Sequence, residues 1–321
     1  MDETMLEIIK DGITIVSPVI QNCITALITT VFLRKNTSIE ELEKLKANKF
    51  GEVVSDLLEN GKMTYLEYYK CRNFLKVAKL ADQESQSRAK KKSSKQETQF
   101  DFDWFMRFFD AVGNISNEDL QILWGKILAN EMERPKTCSL RTLDMIRNMS
   151  PEEANTFTIL CKYVMESGSS YFIYPTGFYD EHEGYAACTS VLSEDGINYA
   201  NSIMPMLEAG ILTGDHDLAI YLEKGKNLGV HNENILCLIE YQGEDTKLFK
   251  QEAYFLTTNG VELYNIVRNM SDYQSDTEYA IQCFKQMKEE NQDMKIAAYR
   301  RLEVEPYFDF IDVLTDNDIG S

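Results

Sequence analysis

The chain has 321 residues, 44% of them hydrophobic and 26% charged, with a formal net charge of −19. That length holds two domains with a real core in each, and the composition is that of an ordinary soluble protein. The charge excludes extended contact with a phosphate backbone unless a strong local basic patch overcomes it. The seven cysteines stand singly, which disfavours a disulfide framework or zinc knuckle and fits a reducing cytoplasm.

Gly12 to Leu33 carries no charged side chain, and is long enough to span a bilayer, which takes about 20 apolar residues. Pro18, Gln21 and Asn22 sit near its middle, among apolar residues such as Ile20 and Leu27, and Asp2, Glu3 and Glu7 precede it where a signal peptide would be basic. Two readings follow: buried helices of a core or oligomer interface, or a segment that inserts in a membrane. If it spans, Arg34 and Lys35 place its C-terminal end on the cytoplasmic side.

Residues 38–81 read as helices. Ser38 opens Ile39-Glu40-Glu41-Leu42, and Thr64 caps a helix from Tyr65 to Leu80 with Tyr68, Phe74, Leu75 and Ala78 facing inward. These helices complete an N-terminal region, 1–81. Residues 82–100 then have no apolar period and read as a polar linker. Arg88, Lys90, Lys91, Lys92 and Lys95 make a basic cluster in it. The cluster is either a solvated tether or a contact for an anionic surface, and no aromatic interleaves it for base stacking.

Residues 101–166 form the densest stretch. Phe102, Trp104, Phe105, Phe108 and Phe109 read as a helix burying aromatics, although the same row imitates a ligand box. Leu120, Ile122, Leu123, Trp124, Ile127 and Leu128 recur at helical spacing and are expected to form one broad apolar face, with Ser116 as N-cap and Pro135 beyond the end. Ser139 caps a short helix carrying Leu140, Leu143 and Ile146. Ser150, Pro151 and Glu153 supply an N-cap, a first-turn proline and a capping-box glutamate. Glu131 and Arg141 stand beside this apolar frame and read as an ion pair or helix-end contact.

Asp103-Trp104, Phe108-Phe109, Leu123-Trp124, Ile127-Leu128-Ala129, Glu131, Pro135, Ser139 through Leu143 and Ser150 through Ala154 together resemble a bacterial family of unknown function. That family is similar to Abi-alpha-like proteins of abortive infection and phage exclusion. A weaker likeness covers Tyr68 to Leu75 and Leu256 to Leu263. The resemblance implies a defence or toxin-type protein, and it supplies no catalytic residues.

Beyond residue 167 the pattern mixes strands and helices. Tyr171–Tyr174 reads as a strand and Gly196–Leu207 as a helix. Leu218–Leu222, Asn234–Tyr241 and Leu248–Phe255 read as three strands, and Val261–Val267 as a closing helix. A helix near Thr277–Met287, a strand near Met294–Val304 and an acidic tail follow. The expected fold is therefore mainly α, with a smaller α+β, winged-helix-like domain over 167–321. From Ala186 to Asp272 there are five Lys or Arg against thirteen Asp or Glu, so DNA binding is not expected and protein contact is.

No reaction centre stands out. Asp180-Glu181-His182-Glu183 and Asp215-His216-Asp217 read as solvated acidic segments, since neighbouring loop residues do not all converge on one ion. Cys161 with His182 has no local signature of a nucleophile pair. Gly225-Lys226 lacks the first glycine and the Ser or Thr of a P-loop. The sequence predicts no catalytic residue, metal or cofactor. It predicts a cytoplasmic, non-enzymatic defence or toxin-type protein that works through a protein partner or its own copies, with membrane association if 12–33 inserts. The alternatives are a regulatory adaptor sensing a partner through the C-terminal domain, and an unrecognised hydrolase.

Overall fold

A computed structural model of the chain describes residues 18–28, 43, 44, 47, 49–89, 101–174, 195–270, 272–302 and 308–311. The Ser38 signature, most of the basic cluster, the 180–183 segment and the acidic end of the chain lie outside these residues. Two compact units divide it: residues 1–154 with 265–272, and residues 155–264 with 273–321.

The first unit is helical. Its helices are α1 (Pro18–Leu27), α2 (Phe50–Glu59), α3 (Tyr65–Ala89), α4 (Phe102–Val112), α5 (Glu118–Glu133) and α6 (Leu140–Arg147). α7 (Pro151–Leu160) starts in it. Their ends are set by side chains that take up the free N–H groups of a first turn. Thr64 and Glu67 form a reciprocal capping box (2.7 and 3.3 Å), as do Ser150 and Glu153 (2.6 and 3.1 Å). Asp101 caps α4 and Ser139 caps α6. Asn117, one residue after Ser116, caps α5 by accepting from the Leu120 amide.

α3 runs nine residues past Leu80, through the first part of the polar stretch. Pairs at i, i+4 hold this turn-rich extension: Gln86 donates to Asp82 at 2.8 Å and Arg88 to Glu84 at 2.9 Å. Leu80 meets Gly125 and Arg88 reaches Glu133, so α3 and α5 run parallel. α4 packs against both. Asn73 donates to the Gly113 carbonyl at 3.0 Å, and Phe74 packs edge-on against Phe105 and Phe109 at 5.5 Å. The rings of Trp104, Phe108 and Trp124 continue this core at 5.2 and 5.4 Å. The aromatic row of α4 is thus packing: Trp104, Phe105, Phe108 and Phe109 are all buried.

The second unit corrects the expected fold class. It is no small winged-helix appendage, because its length is comparable to that of the helical unit and its centre is an eight-stranded sheet. The strands are β1 (Met165–Ser167), β2 (Ser170–Ile173), β3 (Leu212–Leu222), β4 (Asn227–His231), β5 (Ile235–Tyr241), β6 (Lys247–Leu256), β7 (Met294–Arg301) and β8 (Phe308–Ile311). Their order is β3-β6-β2-β1-β4-β5-β7-β8, and every neighbouring pair is antiparallel. A wing would pair β5 with β6, which follow each other in sequence. Instead β5 pairs with β4 and β7, whereas β6 pairs with β2 and β3. α8 (Met204–Glu208), entered through a π turn at Tyr199–Ile203, packs on β3. α9 (Thr258–Arg268) follows β6, and α10 (Thr277–Glu290) packs on β5 and β7.

Candidate functional site

Glu131 is the most constrained charged residue of the motif. It lies in the last turn of α5 and is buried. Its Oε1 accepts from the Lys136 amide at 2.6 Å. Its Oε2 accepts from the Thr137 and Cys138 amides at 3.0 and 3.1 Å and from the Thr137 hydroxyl at 3.1 Å. The loop from α5 to α6 is therefore wrapped around one carboxylate, whose charge strengthens each bond. Lys136 adopts φ 68°, the left-handed region that a side chain enters only when the surroundings hold it there. Trp104 locks the same loop from α4, its Nε1 donating to the Cys138 carbonyl at 2.8 Å. Asn130 adds a bond to the Thr137 hydroxyl at 2.8 Å.

The other motif residues sort by exposure. Phe108, Phe109 and Trp124 are core, and Ser139 is a cap. Asp103, Pro135 and Arg141 are exposed. Glu131 is not ion-paired with Arg141. The motif is a loop clamp on an aromatic core rather than a set of groups converging on a substrate.

The apolar N-terminal segment is described only over 18–28. There Ile20, Ile24, Leu27 and Ile28 are buried, Gln21 is half-buried and Asn22 is exposed, as expected of a helix packed on one side. Among the described residues no helix is long and apolar enough to cross a membrane. Of the basic cluster, Arg88 is bonded to Glu84 and Glu133. Lys90, Lys91, Lys92 and Lys95 lie outside the described residues.

Polar networks in the second unit escaped the sequence reading. Tyr163, fully buried, donates to Asp195 Oδ2 at 2.7 Å, and Lys162 reaches the same oxygen at 2.9 Å. The Tyr163 hydrogen bond and the Lys162 ammonium hold the Asp195 carboxyl below the usual carboxylate range. Tyr279 stacks edge-on at 4.9 Å from Tyr163 and donates to the Tyr174 carbonyl at 2.8 Å. Tyr264 donates to buried Glu166 at 3.3 Å, and Tyr273 donates to the Cys161 carbonyl at 3.1 Å. A buried Tyr that needs a partner is the only signal the sequence offers for these pairs.

The suspected reactive residues do not assemble. Cys161 is wholly buried, which pushes its thiol well up and away from the nucleophilic form. His182 and its acidic neighbours lie outside the described residues, and Asp215-His216-Asp217 falls within β3. Gly225, at φ 78°, lies in the turn that leads from β3 to β4, two strands that do not pair. Among the described residues no group of three or more His, Cys, Asp or Glu side chains is placed to hold a metal.

The first unit is built on this clamp and the second on a large antiparallel sheet, which makes the class of the chain α+β. The chain belongs to the family of proteins of unknown function designated DUF2806, which matches residues 60–280. No curated protein and no solved structure matches it.

Proposed function

We propose that this chain is a non-enzymatic, cytoplasmic effector of bacterial anti-phage defence, of the abortive-infection or toxin type, acting through protein contacts. The observation that carries the reading is the use made of its reactive side chains. Glu131 is filled by three loop amides and a hydroxyl, and Asp195 is held by Tyr163 and Lys162. Cys71, Cys138, Cys161, Cys237 and Cys283 are buried thiols, and a reducing compartment suits them. The Abi-alpha-like resemblance of the motif supplies the biological setting by analogy.

Membrane engagement is the subordinate part of the proposal. Over Pro18–Leu27, α1 turns Ile20, Ile24 and Leu27 into protein. Protein contact therefore comes first. One observation favours the adaptor alternative: Tyr221 and Leu248 face each other across the edge pair β3–β6 and are both exposed. The test is phage challenge of cells expressing the chain, beside nuclease, nucleotide-hydrolysis and vesicle-leakage assays on the purified protein. Reduced phage plating without turnover is the expected result. Turnover by the pure protein, or plating identical to cells lacking it, overturns the reading.

A further inference from the structure

Residues 68–81 of α3 hold Lys70, Arg72, Lys76 and Lys79 with no acidic residue, in a chain of net charge −19. Tyr65, Tyr69, Arg72 and Lys76 are spaced four, three and four, so they share one stripe of the helix. Tyr65 is 57% exposed and Leu66 beside it 63%. Tyr69, Arg72 and Lys76 are half-buried. The guanidinium carbon of Arg72 stands 4.9 Å from the Tyr69 ring centroid, a cation–π contact that orders the cation in advance.

Two features leave this stripe incomplete. Neither Arg72 nor Lys76 closes an ion pair among the described residues, although like charges one turn apart repel. Arg72 Nε is also buried without an acceptor. An anionic partner neutralises this unpaired charge. The field of the whole chain repels a long polyanion such as nucleic acid. A short acidic segment feels mainly the local cations, and its carboxylates match the planar fork of arginine. Tyr65, Leu66 and Tyr69 add the aromatic and apolar surface typical of protein interfaces.

We infer that the Tyr65–Lys76 stripe docks an acidic amphipathic segment of a protein partner, its carboxylates on Arg72 and Lys76 and its apolar side on Tyr65, Leu66 and Tyr69. The inference rests on the reading that the protein acts through protein contacts, and it names the chemistry of the partner. The experiment uses the full chain and a fluorescent helical peptide with glutamates at i, i+4 and i+7 and leucines between them, followed by anisotropy. Arg72→Glu with Lys76→Glu weakens binding about tenfold, or about 1.4 kcal/mol, and salt weakens the unaltered chain. Arg107→Glu with Arg141→Glu makes the same charge change at exposed sites and leaves binding within about twofold. Tyr65→Ser with Leu66→Ser tests the apolar rim independently and lowers affinity about threefold.

Equal binding by the reversed chain overturns the inference. So does equal competition by oligothymidine or by vesicles of anionic lipid. Phage challenge separates the two levels. Stripe-dependent peptide binding without phage protection refutes the defence reading and leaves the docking surface standing. Protection with stripe-independent binding does the reverse.

Discussion

Trp104 and Trp124 are both buried, 5% and 0% exposed, but their indole N–H groups fare differently. Trp104 donates to the Cys138 carbonyl at 2.8 Å, whereas Trp124 Nε1 has no acceptor. Replacing either by Phe removes the N–H and part of the ring, and the lost volume costs each some fraction of the about 3–5 kcal/mol of a full truncation to Ala. At Trp104 the substitution also removes the donor and leaves the buried Cys138 carbonyl unpaired, at about 1–3 kcal/mol. At Trp124 it removes a buried donor whose lack of a partner costs about 1–3 kcal/mol already. The polar effects thus have opposite sign and separate the variants by about 2–6 kcal/mol. Trp104→Phe is strongly destabilising and Trp124→Phe close to neutral. Urea titrations with unchanged slope give the comparison directly. Equal midpoints for the two variants, or a lower one for Trp124→Phe, refute the reasoning.

Three further outcomes follow from packing and charge. A Cβ at Gly125 falls 2.7 Å from Leu80 Cβ and 3.2 Å from the Ala81 amide nitrogen. In Gly125→Ala, overpacking of about 1–3 kcal/mol therefore outweighs the about 1 kcal/mol gained in helix propensity, and the thermal midpoint falls; a rise shows that α3 can move aside. Glu131→Gln leaves a single side-chain oxygen to serve three loop amides, which costs about 1–3 kcal/mol in chemical denaturation; unchanged stability removes the clamp from the account. Asp195 has a lowered folded-state pKa, first through Tyr163 and then through Lys162. Its contribution is therefore present above the unfolded carboxylate value of about 3.9 and lost as pH falls through the folded one. Asp195→Asn should flatten the acid limb of thermal stability below about pH 4, and an identical pH profile contradicts the assignment.

Local rules were legible where the partners are close in sequence. Ser150 with Glu153 and Thr64 with Glu67 are capping pairs three residues apart, and both close in the structure. The N-cap of α5 is displaced by one residue because Ser116 and Asn117 are both good caps and the choice depends on where the backbone turns. α3 continues past Leu80 because Asp82–Gln86 and Glu84–Arg88 support a helix that has no apolar period left to announce it. The sheet was opaque for a different reason. β5 finds β7 across a long excursion that includes β6, α9 and α10, and no feature of either strand names its neighbour. Glu131 could be singled out as a charge beside a core, but its partners are backbone amides, which every sequence has. Tyr163 and Asp195 meet across 32 residues, without a motif linking them.

The residues that carry the family likeness most densely are the ones least able to touch another molecule. Trp104, Phe108, Phe109, Trp124, Ile127, Leu128, Ala129 and Glu131 are buried. Their arrangement is packing: an aromatic layer against α3 and α5, and a loop tied to a carboxylate. Packing alone does not account for an action, since action needs surface. The family match begins at residue 60 and therefore takes in the first turns of α3, where Tyr65 and Leu66 are exposed and Arg72 lacks an acceptor. The core motif holds that helix in place through Asn73 on Gly113, Phe74 on Phe105 and Leu80 on Gly125. Scaffold and surface are thus two sides of one helix, and substitutions on them should separate. Changes at Phe74 or Gly125 lower stability, whereas changes at Arg72 and Lys76 alter partner binding at constant stability. A chain in which both sets move stability alone would have no docking face on α3.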